Sequence, residues 1–150
     1  MASNDKGYVD VFKRGVRNPV KCLPLEQIRC SFVMTNPATQ EVSVFVGSHN
    51  KLCLISGESL EVISTIKLAR QILSICSLNN FTVVCGTQGG QLAAVFIEDK
   101  KTMVIQAENK LTNAIYKVIR TRTDNVFALA TSTGLKFAKL NSDRKAFVLA

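Results

Sequence analysis

The sequence predicts an all-β fold built from about three tandem four-stranded antiparallel units. Three observations predict it. Short apolar runs rich in Val and Ile alternate with polar breaks along most of the chain, which is the punctuation of strands rather than helices. A small-residue turn recurs three times: Val46-Gly47-Ser48-His49-Asn50-Lys51-Leu52, then Cys85-Gly86-Thr87-Gln88-Gly89-Gly90-Gln91-Leu92, then Ala130-Thr131-Ser132-Thr133-Gly134-Leu135. The Leu after each turn recurs at spacings of 40 and 43 residues. A period of that size denotes stacked supersecondary units, and strands inside each unit point to propeller blades.

Residues 1–20 contain Gly7, Gly15 and Pro19 and read as an N-terminal extension, with Tyr8-Val9-Asp10-Val11-Phe12 as one short strand. The repeat region is residues 21–150, with blades at about 24–68, 69–110 and 111–150. In the first unit, strands are predicted over 28–34, 42–46, 52–55 and 61–68. Asn36-Pro37-Ala38-Thr39-Gln40 and Ser56-Gly57-Glu58-Ser59 supply turn chemistry between them. In the second, strands are predicted over 72–78, 81–85, 91–97 and 102–106, broken by Asn79-Asn80 and Glu98-Asp99-Lys100-Lys101. In the third, they are predicted over 115–120, 126–130 and 135–140, with a fourth beginning at 146–149. First strands start at Ile28, Ile72 and Ile115, in phase with the turns. The competing reading places helices over 68–78 and 109–120 and gives a small α+β domain of longin or roadblock type, a trafficking module.

The bulk numbers bound the function classes. The chain has 150 residues, 47% apolar and 20% charged, enough for one domain with a core. No run of about 18 apolar residues occurs, so no membrane-spanning helix is expected. The polar N-terminus lacks the apolar segment of a secretory signal, and Asp5 and Asp10 break the acid-poor pattern of a mitochondrial presequence. A cytoplasmic or nuclear chain with reduced thiols is expected. Of the five cysteines, Cys30, Cys53, Cys76 and Cys85 sit in strand-like runs and read as small buried hydrophobes. The net charge of +8 favours acidic partners. The basic residues are dispersed, with no run of five or more, so a protein partner is favoured over a nucleic-acid groove.

The run Ile72-Leu73-Ser74-Ile75-Cys76-Ser77-Leu78, followed by Val83-Val84-Cys85-Gly86-Thr87 and a polar-Gly turn into Leu92, resembles a WD-repeat blade. Gly47-Ser48 and Gly86-Thr87 match the small pair that ends the second strand of such blades, and Ala130-Thr131 matches it partially. The resemblance covers about residues 24–150. It implies a β-propeller segment, part of a larger or partner-completed propeller, acting as a non-enzymatic scaffold for protein assembly. The chain departs from the family in having no Trp, hence no Trp-Asp dipeptide, and no Gly-His opening pair. The polar network that stiffens typical blades cannot form, so apolar packing between sheets must hold this propeller.

No catalytic constellation emerges. The single His49 lies in a turn with nothing local to orient it. Cys85 ends an apolar strand without a partner base. Gly86-Thr87-Gln88-Gly89-Gly90 lacks the Lys-Ser/Thr ending of a phosphate loop. No metal site, cofactor or catalytic residue is assigned. What remains is surface. The loops at one end of a propeller would gather His49, Asn50, Lys51, Arg70, Gln71, Gln88, Lys110, Asn113 and Ser132, a polar and basic set. The expectation is a docking rim for an acidic protein partner, with self-association or a propeller-completing partner also open. An RNA-associated basic protein is the alternative.

Overall fold

The computed structural model describes residues 2–4, 8–11, 21–99, 101–141, 143 and 146–149, and every regular element among them is a strand. Three short strands lead: β1 (Ala2–Asn4), β2 (Tyr8–Val11) and β3 (Lys21–Leu23), paired antiparallel in that order. Three four-stranded meanders follow. The first holds β4 (Ile28–Thr35), β5 (Val42–Ser48), β6 (Lys51–Ser56) and β7 (Val62–Lys67). The second holds β8 (Ile72–Asn79), β9 (Thr82–Thr87), β10 (Gln91–Glu98) and β11 (Thr102–Lys110). The third holds β12 (Ile115–Arg120), β13 (Val126–Thr131), β14 (Gly134–Leu140) and β15 (Phe147–Leu149).

The α+β alternative fails. Residues 72–79 and 115–120 are first strands of sheets, and no helix occurs among the described residues. Both segments are β-branched and pair along their length with the following strand, and this pairing prevails over their helix-compatible spacing. At the N-terminus the predicted single strand is β2, and it is flanked on both sides by partners. Phe12 of that predicted strand lies outside the described residues.

Local chemistry sets the turns. Asn36 Oδ1 accepts the Ala38 amide at 2.9 Å, and Ser56 Oγ accepts the amides of Glu58 and Ser59, both at 3.2 Å. Asn79 Oδ1 accepts the Phe81 amide at 2.8 Å. Each is a short polar side chain substituting for a backbone turn contact.

The repeat is visible in finer detail than its turns. Each first strand carries a register shift just after its opening isoleucine: Ile28/Cys30, Ile72/Ser74 and Ile115/Lys117. The residue after each shift faces a small residue on the second strand, giving the pairs Cys30–Gly47, Ser74–Gly86 and Lys117–Ala130. In the first two leaves this small spot seats the next leaf. A Cβ on Gly47 would lie 3.1 Å from Ile72 Cβ, and one on Gly86 would lie 2.6 Å from Ile115 Cγ2. Polar contacts cross at the same places. Cys30 Sγ donates to the Ile72 carbonyl at 3.6 Å, and Ser74 Oγ accepts the Val118 amide at 3.1 Å. The first strands β4, β8 and β12 therefore run side by side along the inner edge of the stack.

Three apolar layers result. Leu23 packs with Val44, Val46 and Ile55 between the leading sheet and the first leaf. Phe45, Leu54, Ile75, Val83, Cys85 and Val95 fill the space between the first and second leaves. Cys76, Val84, Ala94, Val118, Phe127 and Leu129 fill the space between the second and third. The second leaf is covered on both faces, so alternate residues of β9 serve opposite layers and the strand is buried throughout. The outer face of the third leaf exposes Ile119, Leu135 and Phe137 beside Lys117 and Lys139.

Candidate docking surface

The nine residues singled out from sequence lie at one end of the stack, in the β5–β6, β7–β8, β9–β10, β11–β12 and β13–β14 connections or at the strand ends beside them. The structure knits several of them together. The His49 amide donates to the Gln27 carbonyl at 3.1 Å, and the His49 carbonyl accepts the Ile72 amide at 2.7 Å. Gln71 Nε2 donates to the same Gln27 carbonyl at 2.8 Å. Gln71 Oε1 is then the acceptor, and His49 Nδ1, 3.2 Å away, carries the proton that it receives. Gln71 is 9% exposed and fully engaged, so it braces the rim and presents little to a partner.

Asn50 closes the next junction. Its Nδ2 donates to the Leu68 carbonyl at 3.3 Å, and its own carbonyl accepts the Leu68 amide at 2.7 Å. Gln88 donates its amide to the Gln71 carbonyl at 2.9 Å and keeps its side chain exposed. Asn113 Nδ2 donates to Thr112 Oγ1 at 3.1 Å and to Thr133 Oγ1 at 3.3 Å, tying two connections of the third leaf. The Ser132 amide donates to the Ala114 carbonyl at 3.3 Å, with the side chain exposed.

The cations stand on this braced frame. Arg70 is exposed, and its aliphatic stem lies over Gly89, where a Cβ would come within 2.5 Å of Arg70 Cγ. Glycine there is the seat of the arginine stem. Lys110 ends β11 opposite Gln91. Lys51 opens β6, and the register places it directly opposite Lys67 on β7. Like charges directly opposite across a strand pair repel, so this pair gains when an anion sits between them. Lys67 was missed from sequence. The β6–β7 register contains a shift between Leu54 and Ile55, and only the register reveals the pairing. The structure also adds acids to this end. Glu26 lies in the entry to β4, and Glu108 Oε2 accepts from Gln91 Nε2 at 3.2 Å. Gln91 Oε1 in turn accepts the Ala69 amide at 2.8 Å, which fixes the backbone next to Arg70. A cavity of about 420 Å³ opens beside the first leaf, lined by Gln27, His49, Asn50, Lys51 and Thr65 among others.

The described residues form no metal-ligand cluster, and the described thiols are not activated. No group of three or more His, Cys, Asp or Glu side chains among them could hold a metal ion. Burial pushes the Cys30 thiol up to about 11 and the Cys76 thiol up to about 12. Cys53 is raised and Cys85 is raised well above the ordinary thiol value, again by burial. These thiols stay protonated at neutral pH, whereas nucleophilic and ligating cysteines are thiolates. The Cys22 side chain lies outside the described residues.

Tandem four-stranded meanders, stacked face to face with their first strands innermost, are the architecture of β-propeller blades. The C-terminal WD40 domain of Sif2 matches with a TM-score of 0.76 and 14% identity, over 99% of this chain and 42% of that one. The β-propeller domain of Cps50 (Swd1) from Myceliophteria thermophila matches with a TM-score of 0.62 and 14% identity, over 79% of this chain and 37% of that one. The chain has the WD40 β-propeller fold, in three blades, and spans less than half the length of either solved chain. No protein-family profile matches the sequence, and no curated protein matches it. The fold is reached without the Trp-Asp dipeptide. Small residues at Gly47 and Gly86, with apolar layers on either side, carry the contacts between blades.

Proposed function

We propose that the chain is a non-enzymatic protein-interaction scaffold of the WD-repeat type, and that its braced basic rim docks an acidic segment of a protein partner. The observation that carries the reading is the cross-strand pair Lys51–Lys67, two exposed ammonium groups held opposite one another at the rim. Arg70 and Lys110 extend the same charge along the loop end, on a backbone held by the His49, Asn50 and Gln91 hydrogen bonds. A rigid rim limits the ordering cost when a partner binds. The protonated, buried thiols and the lack of converging acid–base groups among the described residues favour binding over catalysis.

The test is a fluorescence anisotropy titration with a labelled ten-residue peptide of alternating Glu and Ser. The native chain binds it with an affinity that falls as salt rises. Joint reversal of Lys51→Glu, Arg70→Glu and Lys110→Glu lowers that affinity on the order of tenfold and flattens the salt dependence. Unchanged binding by the triple variant rules out this rim. Tighter capture of a labelled oligouridylate than of the acidic peptide, with a steeper salt dependence, replaces the reading with an RNA-binding one.

A further inference from the structure

The opposite end of the stack has the opposite character. The described turn residues of the first two blades there carry Glu41, Glu58, Glu61, Glu98 and Asp99, against Lys101. Between these turns a cavity of about 430 Å³ opens at the junction of the two blades. Phe45 and Leu54, both buried, lie at its base, and Met34, Phe96 and Ile97 line it. Phe81, in the β8–β9 turn, forms its lip and is 51% exposed, although it is one of the largest apolar side chains in the protein. A second cavity of about 780 Å³ is continuous with the first. Glu41, Ser43 and Asp99 line both, and the second extends to Glu58, half-exposed Ile63 and one cation, Lys101. The result is a trough, apolar at the blade junction, with Glu41, Glu58 and Asp99 outnumbering Lys101 along its margin. Asp99 has no hydrogen-bond or ion-pair partner among the described residues.

We infer that this trough is a second docking site, which takes a short extended protein segment carrying a bulky apolar residue next to a lysine or arginine. The apolar side chain enters between Phe81 and Phe96, above Phe45. The adjacent cation meets Asp99 and Glu41 at the margin, where the charge is complementary. An extended segment fits better than a compact ligand, because the two cavities adjoin at Glu41, Ser43 and Asp99 and the acids are spread over both. The volume of the inner cavity lies in the range of built ligand pockets. A membrane surface or nucleic acid is disfavoured by the acids, which would repel either. The site is independent of the basic rim. It uses other turns, the opposite charge and an apolar anchor, and a scaffold with both would hold two chemically distinct segments at once.

The experiment probes the labelled full chain against an array of hexapeptides. Each carries one Leu, Phe or Met next to Lys or Arg, next to Ser, or next to Glu. Peptides pairing an apolar anchor with Lys or Arg are expected to be retained, those with Ser weakly, and those with Glu not at all. In solution, the best retained peptide should lose at least about tenfold in affinity with Asp99→Lys and with Phe81→Ser. Phe81 and Asp99 are both exposed, so these variants should keep the native circular dichroism spectrum. The triple charge reversal at the rim should leave this binding unchanged. The inference is overturned if no basic–apolar peptide is retained, if Glu-flanked peptides are retained equally, or if Asp99→Lys binds as tightly as the native chain.

Discussion

A Gly86→Val substitution is expected to destabilise the protein by about 3 kcal/mol, at the upper end of the cost of overpacking a core. Gly86 lies on the buried strand β9, where a bare Cβ would already stand 2.6 Å from Ile115 Cγ2 and 2.9 Å from Val118 Cγ2. Both neighbours are β-branched and stiff at χ1, so neither can swing away cheaply. Both also belong to the first strand of the next blade, so the strain falls on the joint between blades. The equivalent position in the third blade is Ala130, opposite Lys117, on the face that no further sheet covers in this structure. Ala130→Val should change stability by less than about 1 kcal/mol, since a β-branched side chain suits a half-buried strand position with no sheet packed on it. Urea denaturation measures both. Similar losses for the two variants would show that Gly86 is not a packing joint.

Phe127→Ala is expected to cost about 3–5 kcal/mol, the usual penalty for emptying an aromatic from a core. Phe127 is fully buried in the layer between the second and third blades. Its ring meets Phe147 edge-on, with centroids 6.4 Å apart and planes at 73°. The contact ties the short final strand β15 to the middle of its sheet, and it adds about 0.5–1.5 kcal/mol beyond area burial. Phe81→Ala, at the half-exposed lip of the acidic trough, is the comparison and should cost less than about 1 kcal/mol. Equal losses would mean that the layer assignment is wrong.

The parts of this fold that are legible in the sequence are those set by local chemistry. Turn residues such as Asn36, Ser56 and Asn79 act on amides two or three residues away, so their spacing exposes the strand breaks directly. The opening isoleucines at 28, 72 and 115 are legible for the same reason, since the period between them is a period of packing units. The leading sheet was mostly missed. β1 and β3 are three residues each, too short to show a periodicity, and only Tyr8–Phe12, which contains β2, gives a strand signal. The register shifts after Ile28, Ile72 and Ile115 are also invisible in one sequence, because they are fixed by what the neighbouring blade requires.

The candidate site was legible as loops and illegible as interactions. Topology alone sends His49, Asn50, Lys51, Arg70, Gln71, Gln88, Lys110, Asn113 and Ser132 to one end. It does not reveal that Gln71 is buried under a hydrogen bond to Gln27, 44 residues away. Nor does it reveal the opposition of Lys51 and Lys67, which depends on a register set by a bulge. The trough at the other end is composed of turns from two blades, and its residues are distant in sequence. Phe81 was read as the start of a strand, whereas it caps the preceding turn and stands half in solvent.

The central claim is that a four-stranded leaf is repeated three times, each repeat hiding its apolar faces against its neighbours, with the middle leaf enclosed on both sides. Hydrogen exchange of the intact chain, read by mass spectrometry, tests it most directly. The account predicts slow exchange in peptides covering 83–85 and 93–95 of the second leaf and 44–46 and 52–55 of the first, and the fastest strand exchange in 147–149 of the third. Equal protection of all three leaves, or greatest protection in the third, would contradict a stack in which the first and second leaves are covered on both faces and the third on one.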